Sequence, residues 1–151
     1  MRVNQICTHS VATCSRDTST VEIATIMRDR HVGTVVVVDQ SDGWPRPIGI
    51  VTERDLALKV IARSADPALS TAGDLITQEV EIALDCESAF EAICRMRAKG
   101  VRRLPVVDSR RHLIGILSVD DVARLLAEEL TALASVVPRQ VQREKAIPAE
   151  S

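Results

Sequence analysis

Two stretches of the chain combine residue types that could do chemistry. Gly49-Ile50-Val51-Thr52-Glu53-Arg54-Asp55 and Gly115-Ile116-Leu117-Ser118-Val119-Asp120-Asp121 both read glycine, two apolar residues, a hydroxyl, two variable residues and an aspartate. A hydroxyl followed three residues later by an acid is close to a capping box, and helix capping alone accounts for the pair. A second reading stands beside it. The start of a helix offers unpaired backbone N–H groups and the positive end of its dipole, which together suit a phosphate, and the hydroxyl can donate one further hydrogen bond. An aspartate one turn in has two acceptor oxygens, a match for the vicinal hydroxyls of a ribose. Glycine three residues ahead of the hydroxyl, lacking a Cβ, leaves room for a ligand or a neighbouring strand to come close. The residues alone leave a helix cap and a nucleotide groove as alternatives.

The two stretches are copies within a longer repeat. A shift of 69 lays Val11 on Val80, Ser19 on Ser88, Glu22 on Glu91, Met27 on Met96 and Val37-Val38-Asp39 on Val106-Val107-Asp108. The first copy then carries three extra residues, so a shift of 66 lays Ile48, Gly49, Asp55 and Ala57 on Ile114, Gly115, Asp121 and Ala123. Each unit opens with a short extended piece, at Val11 to Thr13 or Val80 to Ala83, and reaches a capping box at Ser19/Glu22 or Ser88/Glu91. The helix that follows is predicted to bury Val21, Ala24 and Met27 in one copy and Phe90, Ile93 and Met96 in the other. Two β-branched runs then read as paired strands, Val35 to Asp39 with Ile48 to Thr52, and Leu104 to Asp108 with Leu113 to Ser118. A second helix closes each unit, at about Arg54 to Arg63 and about Val119 to Val136, the latter ended by Pro138.

The predicted unit is therefore β-α-β-β-α and the fold class α+β. Its divisions are residues 3–63, a linker at 64–70, residues 71–136 and a frayed polar tail at 137–151. Seven linker residues are too few to let the halves wander apart, so the two should pack together.

Composition narrows the function further. Nineteen Lys and Arg against 21 Asp and Glu give a net charge of −2, which supplies no overall field toward nucleic acid or an anionic membrane. With one Phe, one Trp and no Tyr in a chain that is 46% hydrophobic, the core must be built from Val, Ile, Leu and Ala. No apolar run approaches the roughly 18 residues of a membrane span, and the first residues lack a secretory signal, so a cytoplasmic protein is expected. Cys7, Cys14, Cys86 and Cys94 form no C-x-x-C pair, and His9, His31 and His112 read as surface residues without metal-ligand spacing. No nucleophile with a partnering base stands out. Trp44, in the proline-bearing first hairpin loop, is expected at an edge or facing solvent.

With these residues in view, the chain resembles a pair of cystathionine β-synthase (CBS) domains, the Bateman module, across about residues 3 to 133. The resemblance rests on the tandem β-α-β-β-α order, on the runs ending Val37-Val38-Asp39 and Leu104-Pro105-Val106-Val107-Asp108, and on the duplicated glycine–hydroxyl–aspartate motif. It implies a stand-alone regulatory module without catalysis, its units packed through their sheets about a pseudo-twofold axis. Two clefts would then receive adenosine-type ligands such as AMP, ADP, ATP, S-adenosylmethionine or NAD(H), and occupancy would be transmitted to a regulated enzyme or transporter. The resemblance assigns Asp55 and Asp121 to ribose hydroxyls and Thr52 and Ser118 to phosphate or ribose oxygens. Backbone near Val11 and Val80 would meet the adenine edge, and Arg102 and Arg103 would reach phosphates.

The first copy has Gly33 and Thr34 where the second has Arg102 and Arg103, and its own basic candidate is Arg54. The favoured site gathers Arg54, Arg102 and Arg103 around one anionic group with Asp55 on its ribose. Asp120 stands where the first copy has Arg54, so the Asp121 cleft is expected to be empty or to hold an uncharged or cationic ligand. Apolar residues on more than one face of the second helices, Leu56, Leu58, Val60 and Ile61 in one and Val122, Leu125, Leu126 and Leu130 in the other, predict a homodimer. The rival reading is a dimerising scaffold without ligand, in which the motifs only cap helices.

Overall fold

The computed structural model describes residues 1–147. Capping chemistry sets the first helix of each repeat. The Ser19 hydroxyl accepts the Glu22 N–H at 3.2 Å while the Glu22 carboxylate accepts the Ser19 N–H at 3.0 Å, opening α1 over Thr20–Arg30. Ser88 and Glu91 repeat both bonds at the start of α4, Ala89–Lys99. Both helices stop at a left-handed residue, His31 at φ 53° and Gly100 at φ 65°.

The strands form two three-stranded sheets of identical order. Strand β1, Thr13–Cys14, lies parallel to β2, Thr34–Asp39, which pairs antiparallel with β3, Arg46–Thr52. In the second unit β4, Ala83–Leu84, β5, Arg103–Val107, and β6, Leu113–Ser118, repeat this arrangement. The register slips at the same place in each hairpin, after Val37 and after Val106. The architecture is the α+β tandem expected.

The buried helix faces match the expected ones in part: Met27 and Met96 are buried and Ile93 is half-buried, but the other three expected residues are not. Val21 is 48% and Phe90 73% exposed, and Ala24 is exposed as well. Ile23 in α1 and Ala92 in α4 take their places beside Met27 and Met96, with Ile26 and Ile93 half-buried next to them. Each step of three residues falls about 60° short of a full helical turn, so a strict three-residue series walks off the core. The i, i+4 pairs Ile23/Met27 and Ala92/Met96 stay on it.

The cores themselves exchange their opening segments. Val3 and Cys7 are buried in the second unit's core, against Ala92, Leu104, Val106 and Leu117. Their counterparts in the repeat, Ala72 and Ile76, turn the other way: Ala72 and Leu75, on the short helix α3 (Ala72–Leu75), complete the first unit's core with Ile23, Val35, Val37 and Val51, and Ile76 packs against it. Main-chain bonds fix both arms. The Val3 N–H donates to the Glu87 carbonyl at 3.0 Å, and Thr8 and Ile116 exchange two bonds of 2.9 Å. On the other side the Ala72 and Gly73 N–H groups donate to the carbonyls of Thr18 at 2.9 Å and Arg16 at 2.8 Å. The linker is seated too, with the Thr20 hydroxyl donating to the Pro67 carbonyl at 2.7 Å.

These arms explain the motif glycines. A Cβ on Gly49 would lie 2.5 Å from Ile76 Cδ1, and one on Gly115 would lie 2.8 Å from Cys7 Sγ and 3.1 Å from the Thr8 carbonyl oxygen. The missing side chain admits the neighbouring arm.

The closing helices differ between copies. Helix α2, Glu53–Asp55, widens into a π-helical run over Leu56–Ile61, with the Ala62 N–H reaching back to the Ala57 carbonyl at 2.9 Å. In the second copy α5 spans Val119–Ala134. Helix α5 stops ahead of Pro138 as expected, but the chain beyond it is not extended: a further helix, α6, covers Val136–Ala146 with the proline in its first turn. Lacking an N–H, Pro138 leaves the Ala134 carbonyl without its helical donor, and the break falls at Ser135 between them. The tail expected to fray is thus helical to Ala146, and residues 148–151 lie outside the described part. Val60 and Val122 face the core, whereas Leu58, Ile61, Leu126 and Leu130 are between 50% and 74% exposed.

At the opposite end the two hairpin loops clasp. Trp44 stacks on His112 with ring centroids 5.0 Å apart and planes 14° from parallel, and the Leu113 N–H donates to the Pro45 carbonyl at 2.7 Å. His112, expected at the surface, is 9% exposed because the indole covers it and Asp108 sits 3.4 Å from its Nδ1. Among the described residues no helix is long and apolar enough to cross a membrane.

The contact at Gly115 yields a stability test. Gly115→Ala, which sets a methyl group against Cys7 and backbone, is expected to cost about 1–3 kcal/mol in urea unfolding; unchanged stability would refute the close packing of the arm on β6.

Candidate functional site

Thr52 and Ser118 each end a strand and cap the helix that follows. The Asp55 Oδ2 accepts from the Thr52 N–H at 2.9 Å and its hydroxyl at 3.0 Å, while the Asp55 N–H donates to Thr52 Oγ1 at 3.2 Å. Asp121 and Ser118 repeat all three bonds, at 3.0, 2.6 and 3.1 Å. Capping is therefore real in both copies, and it occupies one oxygen of each carboxylate. The other oxygen meets a cation from its own helix: Lys59 Nζ at 3.0 Å from Asp55 Oδ1, and Arg124 Nη2 at 3.2 Å from Asp121 Oδ1. Burial raises the Asp55 pKa, but the Thr52 amide, Lys59 and the Thr52 hydroxyl together hold the carboxyl below its ordinary value.

The two units enclose grooves of unequal character. In the first, a compartment of about 380 Å³ is bordered by Asp55, Lys59, Ile76, Val80 and Arg103. A second compartment of about 470 Å³, sharing Ile50, Val101 and Arg103 with it, is lined by Thr52, Arg54 and Arg102. The residues singled out in sequence for one anionic site thus line two adjoining compartments, with Arg103 in both. The remaining candidates, Val11, Ser118 and Asp121, line a separate cavity of about 290 Å³, and Arg103 borders that one as well.

The arginines are not equivalent. Arg102 lies 3.4 Å from Asp120, an exposed pair of little energetic weight. The side chains of Arg54 and Arg103 form no ion pair or hydrogen bond among the described residues, and Arg103 is half-buried. Sequence reasoning missed Lys59, although its i+4 spacing from Asp55 marks the pairing, and it missed Lys99, which lines the first groove and pairs with Glu81 at 2.8 Å. It also passed over Thr34 as a mere absence of arginine. Thr34 is 8% exposed and lines the Asp121 cavity, its buried Oγ1 without a hydrogen-bond partner among the described residues. No cluster of His, Cys, Asp and Glu suited to a metal occurs among the described residues.

The cysteines divide by burial. Burial pushes the Cys14 thiol up to about 11, only partly offset by a hydrogen bond with the Thr18 side chain, and burial likewise raises Cys7. Cys86 and Cys94 are exposed.

Two outcomes follow from these environments. Iodoacetamide at neutral pH should label Cys86 and Cys94 in the native protein and spare Cys7 and Cys14, read by peptide mass spectrometry; early modification of Cys14 would contradict its burial. A depressed Asp55 pKa means that the ionised carboxylate stabilises the fold at neutral pH and that this contribution fades as pH falls below 3.8 and through the folded value. Asp55→Asn should therefore cost roughly 1 kcal/mol at pH 7, and urea titrations of wild type and variant should converge as the pH falls from 3.8 through the lowered folded value.

Comparison with known proteins agrees with this architecture. The family model described as CBS domain matches residues 3–62 and 72–128. An uncharacterized protein of Methanopyrus kandleri is 38% identical over 123 residues, 82% of this chain, and the chain spans 61% of that relative's length. A CBS domain protein from Pyrobaculum aerophilum, solved with AMP, superposes with a TM-score of 0.75 at 25% identity, covering 87% of this chain and 99% of that one. The CBS domain pair of protein MJ0100, solved with 5′-methylthioadenosine and S-adenosyl-L-methionine, gives 0.74 at 26% identity over 85% and 98% of the two chains. The duplicated sheets, the repeated capping motif and the two family matches lead to one conclusion: this chain belongs to the CBS domain family as a tandem pair.

Proposed function

We propose that the chain is a regulatory module that binds an adenine nucleotide in its first groove. The observation that carries this reading is convergence: Thr52, Arg54 and Asp55 of the first repeat meet Val80, Arg102 and Arg103 of the second around one groove. Asp55 Oδ1 keeps a free lone pair beside Lys59 and accepts the ribose hydroxyls, while Arg54 and Arg103, whose charges are unspent, take the phosphate with Arg102 and Thr52. Backbone near Val80 reads the adenine edge. The structural relatives solved with AMP and with S-adenosylmethionine support the ligand class. ADP, ATP and NAD(H) share the same adenosine and anionic chemistry.

The exposed apolar residues Val21, Leu58 and Ile61 of one unit and Phe90, Leu126 and Leu130 of the other support a homodimer through the outer helices. Occupancy then passes to a regulated enzyme or transporter as a change of shape or assembly; the role is binding and signalling in the cytoplasm, without catalysis. One observation favours the rival scaffold without ligand: each motif carboxylate is already engaged by its own main chain and a cation from its own helix.

Thermal unfolding with AMP, ATP, S-adenosylmethionine and NADH separates the two readings. A ligand at 100 times its Kd adds roughly 2.7 kcal/mol, a rise of about 5–10 °C for a chain of this size. Asp55→Ala is expected to abolish the shift and Asp121→Ala to reduce it less. No shift with any of the four ligands favours the scaffold.

A further inference from the structure

The internal repeat makes positions 34 and 103 equivalent, each the first or leading residue of its hairpin. In a symmetric pair each groove would own one such residue. Here one position is threonine and the other arginine, and their reach differs. Thr34 borders the Asp121 groove alone, with a buried hydroxyl that has no hydrogen-bond partner among the described residues. Arg103 borders both compartments of the first groove and the Asp121 groove too. It opens β5 directly opposite Ser118 in the β5–β6 register, beside the second motif's hydroxyl and acid. Among the described residues it is the one arginine or lysine lining the second groove, and neither Glu53 nor Asp121, the acids bordering the two sides, forms a salt bridge with it.

Resting on the binding reading above, we infer that Arg103 is a single cation held in common by the two grooves, so that an anionic ligand in one weakens the binding of an anionic ligand in the other. A guanidinium carries one charge and one planar fork of donors, and it grips one phosphate bidentately at a time. A phosphate in the first groove, where Arg54 and Arg102 assist, draws the fork to that side and leaves the second groove with the neutral Thr34 hydroxyl. A ligand without phosphate makes no claim on Arg103 and escapes the coupling. Linkage requires the effect to be reciprocal, and coupling of this kind typically amounts to about 5- to 150-fold in affinity.

Calorimetric titration tests this with AMP and adenosine as probes. Asp55→Ala isolates the second groove and Asp121→Ala the first, and wild-type protein reports each with the other filled. The expected result is AMP affinity at least about fivefold weaker in wild type for the groove filled second than in the variant where that groove stands alone. The factor should be the same whichever groove is taken as reference, should vanish with adenosine, and should vanish in Arg103→Gln, whose fold is checked by its thermal transition. One AMP per wild-type chain, with the second groove filling only in Asp55→Ala, is the strong limit of the same result. Independent sites in wild type, coupling that persists in Arg103→Gln, or a second groove that takes no AMP even in Asp55→Ala overturns the inference while leaving nucleotide binding intact. Absence of AMP and adenosine binding from every protein overturns the binding reading itself, and this inference with it.

Discussion

Everything in this fold depends on the exchange of opening segments between the two halves. Neither sheet with its own helices closes a core: the first lacks the layer that Ala72 and Leu75 provide, and the second lacks Val3 and Cys7. Burial of apolar surface is the main favourable force available to units of this size, so each half is stable only with the other's arm in place. The exchange also dictates the motif glycines, because each arm crosses the strand where Gly49 or Gly115 sits. The grooves are a by-product of this construction. They lie where one unit's motif faces the other unit's hairpin, and no single unit contains a complete one.

A duplicated frame need not give duplicated sites. Backbone geometry repeats closely, down to the capping bonds and the slip in each hairpin. Electrostatics does not, since Arg54 is matched by Asp120 and Arg103 by Thr34. Charge on exposed or half-buried positions changes at little cost to folding, whereas core and cap positions resist change. The two grooves could therefore diverge in ligand preference while sharing one scaffold. The capping boxes hold each aspartate at a strand end through one oxygen, and the other oxygen meets Lys59 or Arg124 of its own helix.

Much of this was legible in the residues. The repeat, the capping boxes at Ser19, Ser88, Thr52 and Ser118, and both hairpins could be read because each rests on local spacing. The arm exchange could not, because Val3 and Ala72 occupy equivalent positions in the repeat and nothing local says which core either one joins. Val21 and Phe90 misled for a related reason: apolar residues on the outer helix face look the same in sequence as those on the inner one. Pro138 marks the end of α5 in sequence and in structure, but proline is also tolerated in a helix's first turn, so the spacing gives no sign of the new helix that starts there. His112 looked like a surface histidine because its cover, Trp44, arrives from the other repeat. The convergence of Arg54, Arg102 and Arg103 followed from the resemblance, but the placing of Arg103 on both grooves needed three dimensions.

The clasp between the hairpin loops has an optical consequence. Trp44 is the only tryptophan, and the chain has no tyrosine, so near-ultraviolet emission comes almost wholly from one indole laid on the imidazole of the other half. Any tilt of one unit against the other slides that stack and alters the indole's quenching and polarity. The indole is thus a fluorescent probe of how the two hairpin loops sit against each other, readable without an attached dye.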